Sequence, residues 1–322
     1  MESKLINILF FYLLFIMVQL GGYTQKLYNK DHCSPASSNN EMSCLDDDLI
    51  IKIAEGLNKI LSKNKKYSKI NLNNNIQKIH NDLCKILNKL TGCSSESCWM
   101  NIKKLMKLLD NKDIENFKDN FKPVMPKKWV KDYNTWLRTD DIEKCLEQYQ
   151  DDHDDFYFYG AVPIDFNDCS VSNLCSFNLK KHINDGHTKI GIVFNTDPHD
   201  EPGQHWISLY IDCNGKNMNN IPGIYYFDSY GDKPVDEIKN LISKIKDQGN
   251  SRNIKFKYLY NDHPFQKKNY QCGMYSIYFI NEMLKEKPFK RFLNTELTDE
   301  IMKKKRKDYF ISPKEIKCRY NL

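Results

Sequence analysis

The chain has 322 residues, 40% of them hydrophobic and 12% aromatic, which is enough apolar surface for a sizeable core and too much for a disordered or fibrous polymer. Its formal charge is +6, but only five of its 48 basic residues are Arg, and Asn runs such as "NLNNN" accompany the Lys. Compositional bias therefore explains much of the charge. Nucleic-acid binding is left with weak support, because Arg is the better reader of phosphates and bases.

In chain order, the first feature is Ile8–Val18, "ILFFYLLFIMV", an uninterrupted apolar run of 11 residues ahead of Gly21 and Gly22. That length suits the core of a signal peptide, since a membrane span needs about 20 residues. Widening the run to Leu5–Leu20 admits Asn7 and Gln19 and makes a short anchor. Membrane contact through residues 5–20 therefore stays open, beside a buried N-terminal extension. Residues 1–22 are read as an apolar segment. Residues 23–44, polar and carrying Pro35 with a Ser/Asn cluster, are read as a linker.

Three stripes at helical spacing follow. Leu49, Ile50, Ile53, Ala54, Leu57, Ile60 and Leu61 stand behind three aspartates suited to a helix N-terminus. Ile76 to Leu90 repeats the pattern, as do Trp99, Ile102, Leu105, Met106 and Leu109. Residues 45–128 thus form a helical accessory region whose stripes are core faces. Eleven cysteines are scattered without a tight repeat. Cys93 and Cys98 make a pair with no second pair at zinc-ribbon spacing, so no metal is expected there. Disulfide scaffolds belong to short secreted chains, and reduced thiols in a reducing compartment are expected.

The character changes after "FKPVMPKKW". "KIGIVF", "HWISLYI", "GIYYFDSY" and "IKFKYLY" are short runs rich in β-branched and aromatic residues, bounded by Gly, Pro, Asn or Asp, and they predict strands. A helix is predicted over Gly273–Lys285. Residues 129–322 then read as an α+β domain of catalytic type. The basic run Lys303–Lys307 is read as a solvated helix face.

The stretch "YNDHPFQKKNYQCGMYSIYFI" sets Cys272 where a polar loop ends and an apolar helix begins. Backbone N–H groups and the helix dipole stabilise a thiolate there. Gly273 behind it leaves room for a substrate backbone to approach. Two histidines compete as base. His263 sits in the loop before Pro264 with no evident orienting carboxylate. His205 opens one strand run, and Asp228 ends the next. If those strands pair antiparallel through the intervening loop, the two side chains meet. Attack on an amide creates an oxyanion, for which the Gln266 amide and the Cys272 backbone N–H would be donors. Each residue alone has a structural explanation; the ordered set His, Asp, Gln, Cys favours catalysis.

"HW" at 205–206, "FDSY" at 227–230 and "Q-x5-CG" at 266–273 resemble the ubiquitin-like-protein protease and adenain superfamily of cysteine proteases. "WLRTDDIEKCLEQY" at 136–149 resembles the opening of that catalytic domain, and "FYFYGAVPIDF" with "GIVFNTDPHDEPGQHW" resembles the branch encoded by large DNA viruses. The resemblance implies a papain-like, adenain-like α+β core with a mixed central sheet flanked by helices. It implies a thiol endopeptidase with His205 as base, Asp228 as its orienter, Gln266 as oxyanion donor and Cys272 as nucleophile, and no cofactor. It also implies that Trp136 and Trp206 wall a channel admitting Gly-Gly-like sequences, in protein substrates such as viral core or capsid precursors, with the enzyme in the virion and the host cytoplasm. Arg138 departs from the Asn usual at that position. Three rivals are carried: deconjugation of ubiquitin-like modifiers such as SUMO or ubiquitin, acetyl transfer by a related triad, and a catalytically inactive virion scaffold.

Overall fold

Side chains just ahead of the helices fix where they start. In the computed structural model, which describes residues 29–40, 42–63, 67–320 and 322, Asp46 accepts from the Leu49 N–H at 2.7 Å and begins α1, Asp47–Leu61. Asn75 caps α2, Ile76–Thr91, in the same way through the Lys78 N–H, and Gly92 ends that helix in the left-handed conformation. The apolar segment 1–22, with the membrane contact read from residues 5–20, lies outside the described residues. Among the described residues no helix is long and apolar enough to cross a membrane.

The chain divides into two compact units, one holding the residues up to Met125 together with Ile311–Leu322, the other Pro126–Phe310. The first is helical. Leu49, Ile53 and Leu57 of α1 pack with Leu83 and Leu87 of α2 in its core, joined by Phe117 from α3, Asn111–Asp119. Three expectations need correction here. The third helical stripe is a 3-10 turn, Glu96–Asn101, and a single helical turn, Lys103–Met106, because Ile102 between them has a non-helical backbone; Trp99, Ile102, Leu105 and Leu109 are buried all the same. Residues 29–44 are no free linker, since Cys33 and Cys44 are bonded and His32, Ser34 and Ser43 are buried. And the last 12 residues fall in this unit, not with the catalytic one.

The second unit is built on a five-stranded sheet in sequential order, β1 (Phe156–Val162), β2 (Lys189–Asn195), β3 (Trp206–Asp212), β4 (Gly223–Phe227) and β5 (Lys257–Tyr260). The outer pairs β1/β2 and β4/β5 are parallel, and β2/β3 and β3/β4 antiparallel. β1 was not foreseen as a strand. A bulge between Phe158 and Ala161 breaks its register there. Alternation places Ile190, Ile192, Ile207, Leu209 and Ile211 on one face, against Ile238, Leu241 and Ile245 of α5, Asp236–Asn250. The opposite face carries Phe227, whose ring stacks on Phe279 of α6, Cys272–Leu284, at 5.0 Å. α6 is buried almost all round, which explains its continuous apolar sequence. Two further helices of this unit matter below: α4, Thr139–Leu146, and α7, Asp299–Tyr309.

Six cysteines form disulfides, Cys33–Cys44, Cys93–Cys98 and Cys169–Cys175, against the expectation of reduced thiols. Each joins partners 11 residues apart or fewer and so staples a local loop, which spacing in a long chain did not single out.

Candidate active site

The antiparallel register of β3 and β4 pairs Ser208 with Phe227, so the residue that precedes β3 lies beside the residue that follows β4. These are His205 and Asp228. His205 Nε2 donates to Asp228 Oδ1 at 2.7 Å, leaving Nδ1 for the ring's other partner, the Cys272 thiol. Cys272 is the first residue of α6, whose opening backbone N–H groups have no acceptor within the helix. Burial alone would lower the His205 pKa, but the hydrogen bonds the ring donates to Asp228 and Cys272 outweigh it and raise the ring to about 9. The imidazole is therefore protonated at neutral pH.

Asp228 is itself pinned. Its backbone N–H donates to Asn261 Oδ1 at 3.0 Å, and Asn261 Nδ2 returns a bond to Asp228 O at 2.6 Å. Asp228 Oδ1 also accepts from the Tyr230 N–H at 2.8 Å, and the Tyr230 ring stacks on the His205 imidazole with centroids 4.7 Å apart. The backbone thus fixes the carboxylate, and carboxylate and ring together fix the imidazole. His263, the rival base, is exposed and faces Asp262.

Gln266 is buried. Its Oε1 accepts from Ser229 Oγ at 2.8 Å, while Nε2 donates to Tyr230 Oη at 3.2 Å and to Lys268 O. Both amide hydrogens are therefore engaged, and donation to an oxyanion requires one of these bonds to be exchanged.

A cleft of about 510 Å³ is lined among others by Trp136, Leu137, Arg138, Asn195, Gln204 and Trp206; it reaches the chain neighbours of His205 but not His205, Asp228, Gln266 or Cys272 themselves. Trp206 is buried and its indole donates to Leu137 O at 3.0 Å, whereas Trp136 is 37% exposed at the edge. Gly273 also has a role in packing. A Cβ there would stand 3.0 Å from Leu137 and 3.3 Å from Trp206, so the glycine lets the wall of the cleft close onto the nucleophile's helix. Gly203 opens the loop into β3 in a left-handed conformation, φ +88°, against the Asn195 amide that holds that loop.

Arg306 was read as part of a solvated basic face, and it is fully buried. Its guanidinium lies 4.6 Å over Trp129, donates to Thr135 O at 2.7 Å and reaches Gln271 Oε1 at 3.2 Å. Gln271 precedes the nucleophile and donates to Tyr133 O at 3.1 Å. One side chain thus ties the segment bearing Trp136 to the start of α6. The signal was present: Met302, Arg306 and Tyr309 share the buried face of α7, and Arg306 stands alone among lysines. Tyr230 and Asn261 lie within "FDSY" and "YNDHPF", and only the fold brings them to Asp228.

Cys, His and Asp at a helix N-terminus beside a tryptophan-walled cleft, on a mixed sheet flanked by helices, define a cysteine-type peptidase of papain-like, adenain-like α+β architecture. The crystal structure of the African swine fever virus protease has the same fold, with a TM-score of 0.63 at 21% identity over 88% of this chain and 97% of that one. A putative thiol protease of Acanthamoeba polyphaga mimivirus is 28% identical, covering 86% of this chain and 92% of its own length. A cysteine protease of African swine fever virus, isolate Tick/Malawi/Lil 20-1/1983, is 25% identical over 73% and 89%. Copies from other isolates carry the name SUMO-1 cysteine protease. The family model described as YopJ serine/threonine acetyltransferase matches residues 111–317, and the chain belongs to that family.

Proposed function

We propose that the chain is a thiol endopeptidase that cleaves after Gly-Gly-like sequences and processes viral core or capsid precursors during particle maturation. The reading rests on the 2.7 Å His205–Asp228 bond at the mouth of the α6 N-terminus. In it, the Cys272 sulfur, whose proton already rests on the His205 imidazolium, attacks the scissile carbonyl, and Asp228 holds that ring in place. The Cys272 N–H and a reoriented Gln266 amide bind the oxyanion. His205 then protonates the leaving amine, and water releases the acyl-enzyme. Trp136 and Trp206 act by exclusion, since aromatic walls leave no room for side chains next to the bond.

Viral relatives support the maturation assignment and, with it, a place in the virion and the host cytoplasm. Two other readings have a specific observation behind them. The name SUMO-1 cysteine protease borne by relatives favours removal of ubiquitin-like modifiers. The description of the family model favours acetyl transfer through the same thiol. One comparison separates them, run on residues 23–322 beside the Cys272→Ala variant. Turnover of a fluorogenic peptide ending in Gly-Gly, lost in the variant, supports the endopeptidase. Cleavage only of a folded SUMO or ubiquitin fusion supports deconjugation. Cys272-dependent consumption of acetyl-CoA without peptide cleavage supports transfer, and inactivity in every assay points to a scaffold.

A further inference from the structure

Two distant segments of the helical unit meet at sulfur. The turn after α2 carries Cys93 and Cys98, buried and joined as a disulfide. The C-terminal segment is docked along this turn. Arg319 and Tyr320 N–H both donate to Thr91 O, at 2.7 and 2.9 Å, and Asn101 Nδ2 donates to Ile316 O at 2.8 Å. Between these anchors Cys318, a half-buried free thiol, holds its Sγ 2.9 Å from Cys93 and 3.6 Å from Cys98. A structural staple needs two sulfurs. A third one lies alongside the disulfide bond, and it becomes the attacking nucleophile when it swings into line with it.

We propose that Cys93, Cys98 and Cys318 form a thiol–disulfide exchange site that converts a local staple into a long-range clasp. The Cys318 thiolate forms a bond to Cys93 as the Cys93–Cys98 bond breaks. Cys98 leaves as a thiolate and takes up the proton that Cys318 gave up. The step is an isomerisation and consumes neither oxidant nor reductant. Cys93 is the nearer sulfur, and attack on it requires Cys318 to move opposite Cys98, the leaving sulfur.

The two isomers differ greatly in what they enclose. Cys93 and Cys98 are 5 residues apart, Cys93 and Cys318 are 225. Because the chain leaves the helical unit at Met125 and rejoins it at Ile311, the clasp closes a covalent loop through the whole of Pro126–Phe310. Loop closure restricts the unfolded chain more as the loop grows, so the clasped isomer is the more resistant to unfolding. It also keeps the two ends of the helical unit joined after any backbone cut within the catalytic unit.

The test is a cysteine map of the full chain isolated without reductant, held at about pH 8.5 to favour thiolates, then quenched with acid and maleimide and digested without reduction. The expected map contains both Cys93–Cys98 with alkylated Cys318 and Cys93–Cys318 with alkylated Cys98. Cys98→Ser should carry the Cys93–Cys318 link quantitatively and unfold on the order of 5 °C above Cys318→Ser. After a proteolytic nick in the catalytic unit, its fragments should stay together on a non-reducing gel. A wild-type map with Cys318 wholly alkylated and only Cys93–Cys98 linked overturns the proposal. So do three free thiols, including three thiols holding a zinc ion by metal analysis. The wild-type map decides the matter even if a variant fails to fold.

Discussion

Among the described residues stand two Cys–His–carboxylate clusters, and only one of them is built for chemistry. In the helical unit His80 Nε2 donates to Glu96 Oε1 at 2.5 Å, and Cys84 Sγ lies 3.6 Å from the same nitrogen. Ser43 Oγ and the Cys44 N–H complete the carboxylate's shell at 2.6 and 3.0 Å. Cys84 is in mid-helix, so no free N–H groups face its sulfur, and burial pushes its thiol well above the ordinary range. In the catalytic unit the thiol opens a helix beside a cleft, and the imidazole is held in its protonated form. The residue types match. The position of the sulfur on its helix and the access of substrate are what differ.

Replacing the two sulfurs separates the clusters most sharply. Cys272→Ala is expected to lower kcat/KM on a Gly-Gly peptide by roughly 10⁴-fold or more, with little change in thermal midpoint. Cys84→Ala is expected to leave kcat/KM within roughly twofold and to destabilise the fold by about 1–2 kcal/mol. Equal losses of activity in both variants would show that the sulfur's setting does not discriminate.

The histidines invert that pattern. His80→Leu leaves Glu96 buried without its partner, a loss of about 3–5 kcal/mol in a denaturant titration, while activity per folded molecule is retained. His205→Leu abolishes turnover at a cost to stability of about 1 kcal/mol, because Asp228 keeps the Tyr230 N–H as a donor.

The same contrast explains what the sequence disclosed. The catalytic order was legible because strand alternation and turn residues are local signals, and the β3/β4 pairing that joins His205 to Asp228 follows from a short connection. The knot of the helical unit was not, because His80 and Glu96 sit on an apolar stripe and a turn whose pairing depends on tertiary packing. Arg306 was misread for a related reason. A charge run says where lysines are solvated, and it does not say which member rotates inward to stack on Trp129. The disulfides were not legible because a pairing of cysteines 5 to 11 residues apart depends on how the loop between them folds, which local sequence does not state.

Arg306 offers a smaller effect between these extremes. Lys in its place keeps the charge but loses the fork that spans Thr135 and Gln271. Arg306→Lys is expected to raise KM for the peptide about tenfold through the loosened Trp136 segment, with a lesser change in kcat. Alkylation of Cys272 by iodoacetamide, which needs no channel wall, should change by less than about threefold. A variant that lost both equally would make Arg306 a general support of the fold.

The mildest test, which changes no residue's packing, is one of pH, and it asks why only one imidazole serves catalysis. His205 is raised from 6.5 to about 9, so the protonated ring is present below that value and is lost as pH rises through it. That proton is the one delivered to the leaving amine. kcat/KM should therefore be flat through neutrality and fall about tenfold per unit above pH 9. The pairing's contribution to stability has the same sign. It is complete below about 6.5 and fades as pH approaches 9, which a thermal-midpoint series would follow. Since Cys272 supplies part of the upward shift and Asp228 the rest, His205 in the Cys272→Ala variant should titrate below 9 by NMR yet remain tied to the carboxylate. An unmoved titration would mean that the thiol does not engage the ring, and the catalytic cluster would then differ from the buried one only in its access to solvent.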